Sequence, residues 1–326
     1  MREYFKHQHT LSQPIKTMAL KHIRIATRKS PLALWQAEFV RMGLIKHYPD
    51  LTVELITMTT QGDRILDTSL SVAGGKGLFI KELEQALLNG QADLAVHSMK
   101  DVTVDIPAGL DLPVIMKRED PRDVLIANQY KSLADLPPGA RIGTSSLRRQ
   151  CQLRAQRPDL QVITLRGNVG TRLQKLDNDN FDAIVLAAAG VIRLGLQDRI
   201  SAYLDMKVML PAIGQGAIGI QTRKDDQFLL NQIAVLNDET TKIQIEAERA
   251  FSRRLYGGCQ LPIAAYAAIS GNGLTLEGLV AGMDGKTIIR DSISGTTGEA
   301  ATIGLQLAER LLARGADAIL RAIYNE

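Results

Sequence analysis

The stretch Arg24-Ile25-Ala26-Thr27-Arg28-Lys29-Ser30-Pro31 and its echo Arg141-Ile142-Gly143-Thr144-Ser145-Ser146 decide the fold. Each reads as a short apolar strand that ends in Thr and runs through small polar residues into a helix. Ser30 stands where a helix N-cap belongs and Pro31 at the first helical position. A second echo follows in the same order, Gln91-Ala92-Asp93-Leu94-Ala95-Val96 with Asn180-Phe181-Asp182-Ala183-Ile184-Val185. Two echoes in one order predict two related α/β halves facing one another.

Outward from these stretches, strand-like runs at His22–Ala26, Leu51–Met58, Ala92–Val96, Ala140–Gly143, Gln161–Leu165 and Phe181–Leu186 alternate with helical patterns. One helix starts at Pro31, with Leu32, Trp35, Phe39 and Met42 at helical spacing. Another spans Gly77–Leu88 and is closed by Gly90. Such alternation means βαβ units and mostly parallel sheets, with ligands at the carboxyl ends of the strands. After about Glu239 the texture changes. A helix over Thr241–Leu255 precedes strands at Pro262–Ile269, Leu274–Ala281 and Thr287–Ser292, then a last helix over Gly298–Ala313. Gly271-Asn272-Gly273 and Asp284-Gly285 supply the turns between those strands.

The expected fold class is therefore α/β, two doubly wound halves plus a small α+β C-terminal domain with a three-stranded antiparallel sheet. Residues 21–116 and 216–236 form the first domain, 117–215 the second and 237–326 the third. Residues 1–20 are expected to be a disordered extension, within which Met18 offers a second start. The Gly-rich connector Leu210–Gly216 is the expected hinge.

Composition narrows the function. A chain of 326 residues with 45% hydrophobic content has the material for two or three cores, which excludes general disorder. Its net charge is +4, but Arg2, Lys6, Lys16 and Lys21 against Glu3 place +3 of that in the first 22 residues. The body is near neutral and carries 1 Trp, 7 Tyr and 6 Phe, so a nucleic-acid-binding face is not expected. The longest apolar run, Ile184–Ile192, is far short of the roughly 20 residues that span a bilayer. The N-terminal segment lacks the apolar core of a signal peptide. Two cysteines, Cys151 and Cys259, make no disulfide framework and suit a reducing cytoplasm. No metal-ligand spacing is present.

The segment Arg141–Arg172 holds seven arginines (141, 148, 149, 154, 157, 166, 172), no lysine, no glutamate and Asp159 as its one acid. Guanidinium forks after strands, at helix starts, favour carboxylates or phosphates. Arg148, Arg149, Arg166 and Arg172, with the hydroxyls of Thr144, Ser145 and Ser146, point to a polyanion site. Arg154 and Arg157, beyond the first helical turn, read as a solvated face. Arg28-Lys29-Ser30 repeats the arrangement in the first half.

His97-Ser98-Met99-Lys100-Asp101 puts an ammonium and a carboxylate at a strand's carboxyl end. Acid–base chemistry and a surface ion pair of little energy fit those two residues equally. His97 reads as a packed histidine. Cys259, flanked by Gly257 and Gly258, reads by default as a small buried hydrophobe, although the glycines leave room for a bulky attachment. Gly74-Gly75-Lys76-Gly77 lacks the spacing of a P-loop and reads as a mobile loop.

Taken together, seven segments resemble the porphobilinogen deaminase (hydroxymethylbilane synthase) family. They are Arg24–Leu34 (RIATRKSPLAL), Gly74–Phe79 (GGKGLF), His97–Val102 (HSMKDV), Gly143–Gln150 (GTSSLRRQ), Leu165–Leu173 (LRGNVGTRL), Gly214–Ala217 (GQGA) and Gly257–Cys259 (GGC). The resemblance implies two periplasmic-binding-protein-like domains and a third bearing the cysteine, with Gly74–Gly77 in a flap. It implies a cytoplasmic, monomeric transferase that joins four porphobilinogens head to tail with loss of ammonia. The chain grows on a dipyrromethane cofactor thioether-linked to Cys259, and the linear tetrapyrrole is released by hydrolysis. Uroporphyrinogen-III synthase would be a transient partner.

By motif position, Asp101 would bind pyrrole N–H groups, stabilise the azafulvenium-like cation and move protons, with Lys100 beside it. Lys100, Arg28, Ser30, Thr144, Ser145, Ser146, Arg148, Arg149, Arg166, Arg172 and Arg193 would bind the carboxylates of cofactor and substrate. Cys151 has no such role and is expected to be ordinary packing. Thr103 stands where the family usually has proline, which is expected to loosen the loop holding Asp101. A two-lobed anion-binding protein without catalysis is the alternative, and it gives Asp101 and Cys259 no task.

Overall fold

Strand β1 (His22–Arg28) sends Ile23 and Ile25 to one face, against helix α1 (Pro31–His47). Ala26 goes to the other face, against a second helix over Lys81–Leu88. Burial on both faces is what makes its sequence a near-continuous apolar run. The structure, a computed structural model, describes residues 20–64, 77–255 and 261–324. The expected N-terminal extension through residue 19, Gly74–Lys76 of the glycine loop, and Cys259 lie outside the described residues.

The first lobe continues through β2 (Thr52–Met58), α2 (Gln61–Arg64), α3 (Lys81–Leu88), β3 (Leu94–Ser98) and β4 (Leu110–Ile115). The second comprises β5 (Asp123–Ile126), β6 (Arg141–Gly143), α4 (Leu147–Gln156), β7 (Gln161–Ile163), α5 (Val169–Asp177), β8 (Ala183–Ala187), α6 (Ala188–Arg193) and β9 (Ala202–Tyr203). The chain then returns through β10 (Ile218–Arg223) and α7 (Gln227–Ile233). The two five-stranded sheets have the orders β2-β1-β3-β10-β4 and β7-β6-β8-β5-β9. In each, three strands run parallel, and the next is antiparallel to both its neighbours. That antiparallel strand is the one the chain makes immediately after crossing between lobes. The echoed sequences thus build two doubly wound lobes of one plan, mixed rather than mostly parallel.

The third unit is α8 (Glu239–Arg254), the antiparallel sheet β11 (Ile263–Ser270), β12 (Gly273–Ala281) and β13 (Ile288–Thr296), then α9 (Ala300–Leu311) and α10 (Asp317–Tyr324). One face of that sheet packs on α8 and α9 through Phe251, Leu276 and Leu307. The other face meets Cys151 of α4 through Ala264, Leu279 and Ala281.

Several expectations change. The stripe Leu32, Trp35, Phe39 and Met42 is not the core face of α1, which buries Ala33, Gln36, Ala37, Val40 and Leu44. Alanine at the contact lets the helix approach the sheet closely. The bulky stripe lies to the side, with Trp35 stacked on Phe39 at 5.1 Å and Met42 exposed. Helix α3 starts at Lys81 rather than Gly77, because Gly77 takes φ +79° and caps a turn with its carbonyl. Strand β13 runs on to Thr296, and α10 follows the kink at Gly315 (φ +99°). Among the described residues no helix is long and apolar enough to cross a membrane.

Candidate active site

Strand β3 ends at Ser98, whose Oγ accepts from Gln36 Nε2 at 2.8 Å. Met99–Asp101 then make one 3-10 turn with Met99 buried. The connector returning from the second lobe presses on this turn. A Cβ on Gly214 would stand 2.8 Å from Met99 Cβ and 3.2 Å from Lys100 N, and Gly214 has φ +72°. Only glycine permits that approach.

Lys100 and Asp101 share their electrostatic surroundings with the other lobe. Burial lowers the Lys100 ammonium to about 8, with Asp101 opposing and Arg149 and Arg172 assisting. Arg172 of α5 is lowered to about 10 by burial, then by Arg149, while Asp101 opposes and Arg166 adds to the lowering. The cleft therefore gathers Lys100 and Asp101 from one lobe with Arg149, Arg166 and Arg172 from the other.

Arg148 and Arg149, at the start of α4, are buried and converge on Asp123 of β5. Arg148 Nη1 donates to Asp123 Oδ2 at 2.7 Å, and Arg149 donates to Oδ1 from Nε (3.0 Å) and Nη2 (2.7 Å). Gln215 Nε2 adds a fourth donor at 3.0 Å. The two guanidiniums overcome burial and hold the Asp123 carboxyl well below the usual carboxylate range. Burial pushes the Arg148 guanidinium down, and among the described residues its Nε is buried without a partner. Asp123 is the site residue sequence reasoning missed. Two buried arginines demanded a counter-ion, but no local pattern named it.

Arg28, at the end of β1, forks onto Asp63 and lies 4.3 Å over the Phe79 ring. Asp63 also accepts from Thr60 N (3.1 Å) and Oγ1 (2.7 Å). Together Arg28 and Thr60 hold the Asp63 carboxyl low against its burial. Asp63 was likewise not singled out from the sequence.

The hydroxyls serve the loops in which they sit. Ser30 Oγ caps α1 at Ala33 N (3.4 Å), Thr144 Oγ1 accepts from Ser146 N (3.2 Å), and Ser145 Oγ donates to Leu165 O (2.7 Å). Ser146 is the N-cap position of α4. Arg172 Nε donates to Gly167 O at 2.8 Å. Arg193 donates to Gly216 O of the connector at 2.7 Å, beside the Trp35 ring.

Arg154 and Arg157 are not the solvated face expected of them. Arg154 donates to Met283 O of the third unit at 2.6 Å, and Arg157 to Leu133 O and Leu136 O. Cys151 is buried and its thiol is pushed up to about 11 by burial. His97 is packed, its Nε2 against Gln221 Oε1 at 2.9 Å. Gln221 Nε2 donates in turn to Glu84, and burial lowers His97 to about 4. Thr103 Oγ1 donates to Asp105 O at 2.8 Å, closing the loop after Asp101 that proline would otherwise stiffen.

Fold and cleft define a two-lobed α/β protein in which buried arginines of one lobe and the Lys100–Asp101 turn of the other lie at strand ends. Residues 23–231 match the family model described as porphobilinogen deaminase, dipyromethane cofactor binding domain, and residues 242–313 match the porphobilinogen deaminase C-terminal domain. The chain belongs to the porphobilinogen deaminase family. Its activity is that of a hydroxymethylbilane synthase, a transferase of porphyrin biosynthesis that polymerises porphobilinogen and carries a dipyrromethane cofactor. The non-catalytic alternative falls with that assignment.

Among solved structures, a double-mutant BvgS VFT2 domain of Bordetella pertussis is 17% identical, covering 66% of this chain and 86% of its own, at a TM-score of 0.42. The methionine-binding protein MetQ is 15% identical, with 66% and 89% covered and a TM-score of 0.44. The aliphatic sulphonate binding protein SsuA from Escherichia coli is 17% identical, with 72% and 70% covered and a TM-score of 0.38. No property of this chain rests on likenesses at that level.

Proposed function

We propose that Asp101 is the catalytic carboxylate of this synthase, with Lys100 beside it, and that Cys259 is the cofactor attachment point. The observation that carries this reading is that the Met99–Asp101 turn packs against Gly214, while the adjacent Gln215 donates to Asp123, on which Arg148 and Arg149 of the facing lobe converge. A carboxylate there opposes the positive charge that develops as ammonia leaves the substrate, and it accepts from a pyrrole N–H. The surrounding cations hold acetate and propionate groups, which cannot be buried unpaired.

The residues present fit the cofactor's chemistry. Among the described residues Arg148 keeps a buried Nε–H without a partner, and Arg148 and Arg149 share the single carboxylate of Asp123. When bound, dipyrromethane supplies the primer to which the first substrate is joined. Lys100, Arg166 and Arg172 bind carboxylates directly, whereas Arg148 and Arg149, pinned to Asp123, act through their field and through Arg148 Nε. Arg28 is presented by Asp63 and Phe79. Ser30, Thr144, Ser145 and Ser146 shape the loops at the strand ends, and Arg193 holds the Gly216 end of the connector.

We assign residues 21–116 and 216–236 to the first domain, 117–215 to the second and 237–326 to the third. The arrangement of the three sheets supports this division. The protein is proposed to act as a cytoplasmic monomer, to release its product by hydrolysis and to pass it transiently to uroporphyrinogen-III synthase. Asp101→Asn should lower turnover of porphobilinogen by more than about 10²-fold with an unchanged melting temperature. Retention of a tenth of parent turnover would remove Asp101 from the mechanism. Intact mass under denaturing conditions tests the attachment: the parent should carry two linked pyrrole units on a Cys259 peptide.

A further inference from the structure

Helix α8 ends at Arg254, five residues before Cys259 in the chain. On its course it passes the loop that follows Asp101. Arg249 Nη2 donates to Thr103 O at 2.8 Å and Val104 O at 3.1 Å, and its Nη1 to Val102 O at 3.4 Å. Arg253, one turn further on, donates from Nη2 to Val104 O at 3.1 Å. Three successive carbonyls thus meet guanidinium N–H groups, in a segment that belongs to no helix or strand.

Like charges four residues apart on one helix repel one another. Here they nonetheless converge on a single carbonyl. Burial, then Arg253, lowers the Arg249 guanidinium to about 10, with Asp105 opposing. The same turn is held from its other end. Glu248 accepts from Gly214 N at 2.7 Å, and Gly214 lies against Met99 and Lys100. Consecutive residues of α8 therefore seat both ends of the Met99–Val104 stretch.

We propose that Arg249, assisted by Arg253, is a positioning residue for the reaction: its grip on the Val102–Val104 carbonyls sets where the Asp101 carboxylate stands in the cleft. The proposal rests on the reading of Asp101 as the catalytic carboxylate. Both terminal nitrogens of Arg249 are committed to backbone, unlike the ligand-facing role assigned to Arg166 and Arg172. Its loss should therefore disturb kcat rather than KM.

The test uses the holoenzyme and the variants Arg249→Gln, Arg249→Lys and Arg253→Gln. Intact mass, melting temperature, kcat and KM for porphobilinogen are measured on each. Because a misplacement near 1 Å costs roughly 10²-fold, Arg249→Gln should lower kcat by about 30- to 100-fold with KM within about threefold. Arg249→Lys, which keeps a cation able to reach one carbonyl, should recover to within about tenfold of the parent, and Arg253→Gln should cost less than about fivefold. A kcat within twofold of parent for Arg249→Gln, whatever its melting temperature, would overturn the proposal. So would a raised KM at constant kcat, which would make Arg249 a ligand-binding residue. If Arg249→Gln fails to fold or to carry its cofactor, the same order of kcat in the other two variants decides. Asp101→Asn separates the two readings: inactive Asp101→Asn beside fully active Arg249→Gln sinks the positioning role alone.

Discussion

Two buried arginine–carboxylate systems lie on the connections between the domains, and they are not alike. Arg118 forks onto Glu248 at 2.6 and 3.2 Å, and Glu248 also accepts from Gly214 N and Ala267 N. Arg118 Nε donates to Gln215 O. One cation meets one anion there, and the carboxylate has four donors. The system is closed, and it joins the first crossing, the return crossing and the third domain. At Asp123, two guanidiniums share one carboxylate, Lys100 and Arg172 lie in the same field, and Arg148 Nε has no partner among the described residues. The difference separates a joint, whose charges satisfy one another, from the proposed site, where two cations share a single carboxylate.

Variants can break this contrast. Arg118→Gln strands Glu248 in the interior and should cost about 3–5 kcal/mol of stability by chemical denaturation. At low temperature, turnover per folded molecule should stay close to the parent. Arg149→Gln should do the reverse, lowering turnover by about 10²-fold or leaving the protein without its cofactor mass, with a smaller loss of stability. If the two variants exchange these effects, the division between joint and site is wrong.

The smallest effect sharpens the contrast through pH. Because the Lys100 ammonium is lowered to about 8, it is charged below that pH and neutral above it. Affinity for porphobilinogen should therefore fall as pH rises through about 8, by about tenfold, the lower end of the scale of one charge-assisted contact. Lys100→Met should flatten that limb of the KM profile. A limb unchanged in the variant would assign the titration to another group.

The lobes were legible because their signals are short. A Ser cap and a following Pro act over a few residues and stand as read at Ser30–Pro31, while the strand before them runs past Thr27 to Arg28. The arginine cluster and the Lys100–Asp101 pair were legible as residue types at strand ends. The helical spacing of Leu32, Trp35, Phe39 and Met42 located α1 but not its core face, which is Ala33, Gln36, Ala37, Val40 and Leu44. The two arginines set aside as solvated, Arg154 and Arg157, found backbone carbonyls that only folding brought near.

By itself the sequence determined the alternating strands and helices, the duplicated plan and the inventory of cations, since caps, turns and two-sided burial are written within a few residues. Tertiary structure alone decided which carboxylate answers which arginine. Asp123 meets Arg149 across 26 residues and Glu248 meets Arg118 across 130. An ion pair is chosen by the burial that makes it necessary, and that burial exists only once the lobes and the third domain have packed.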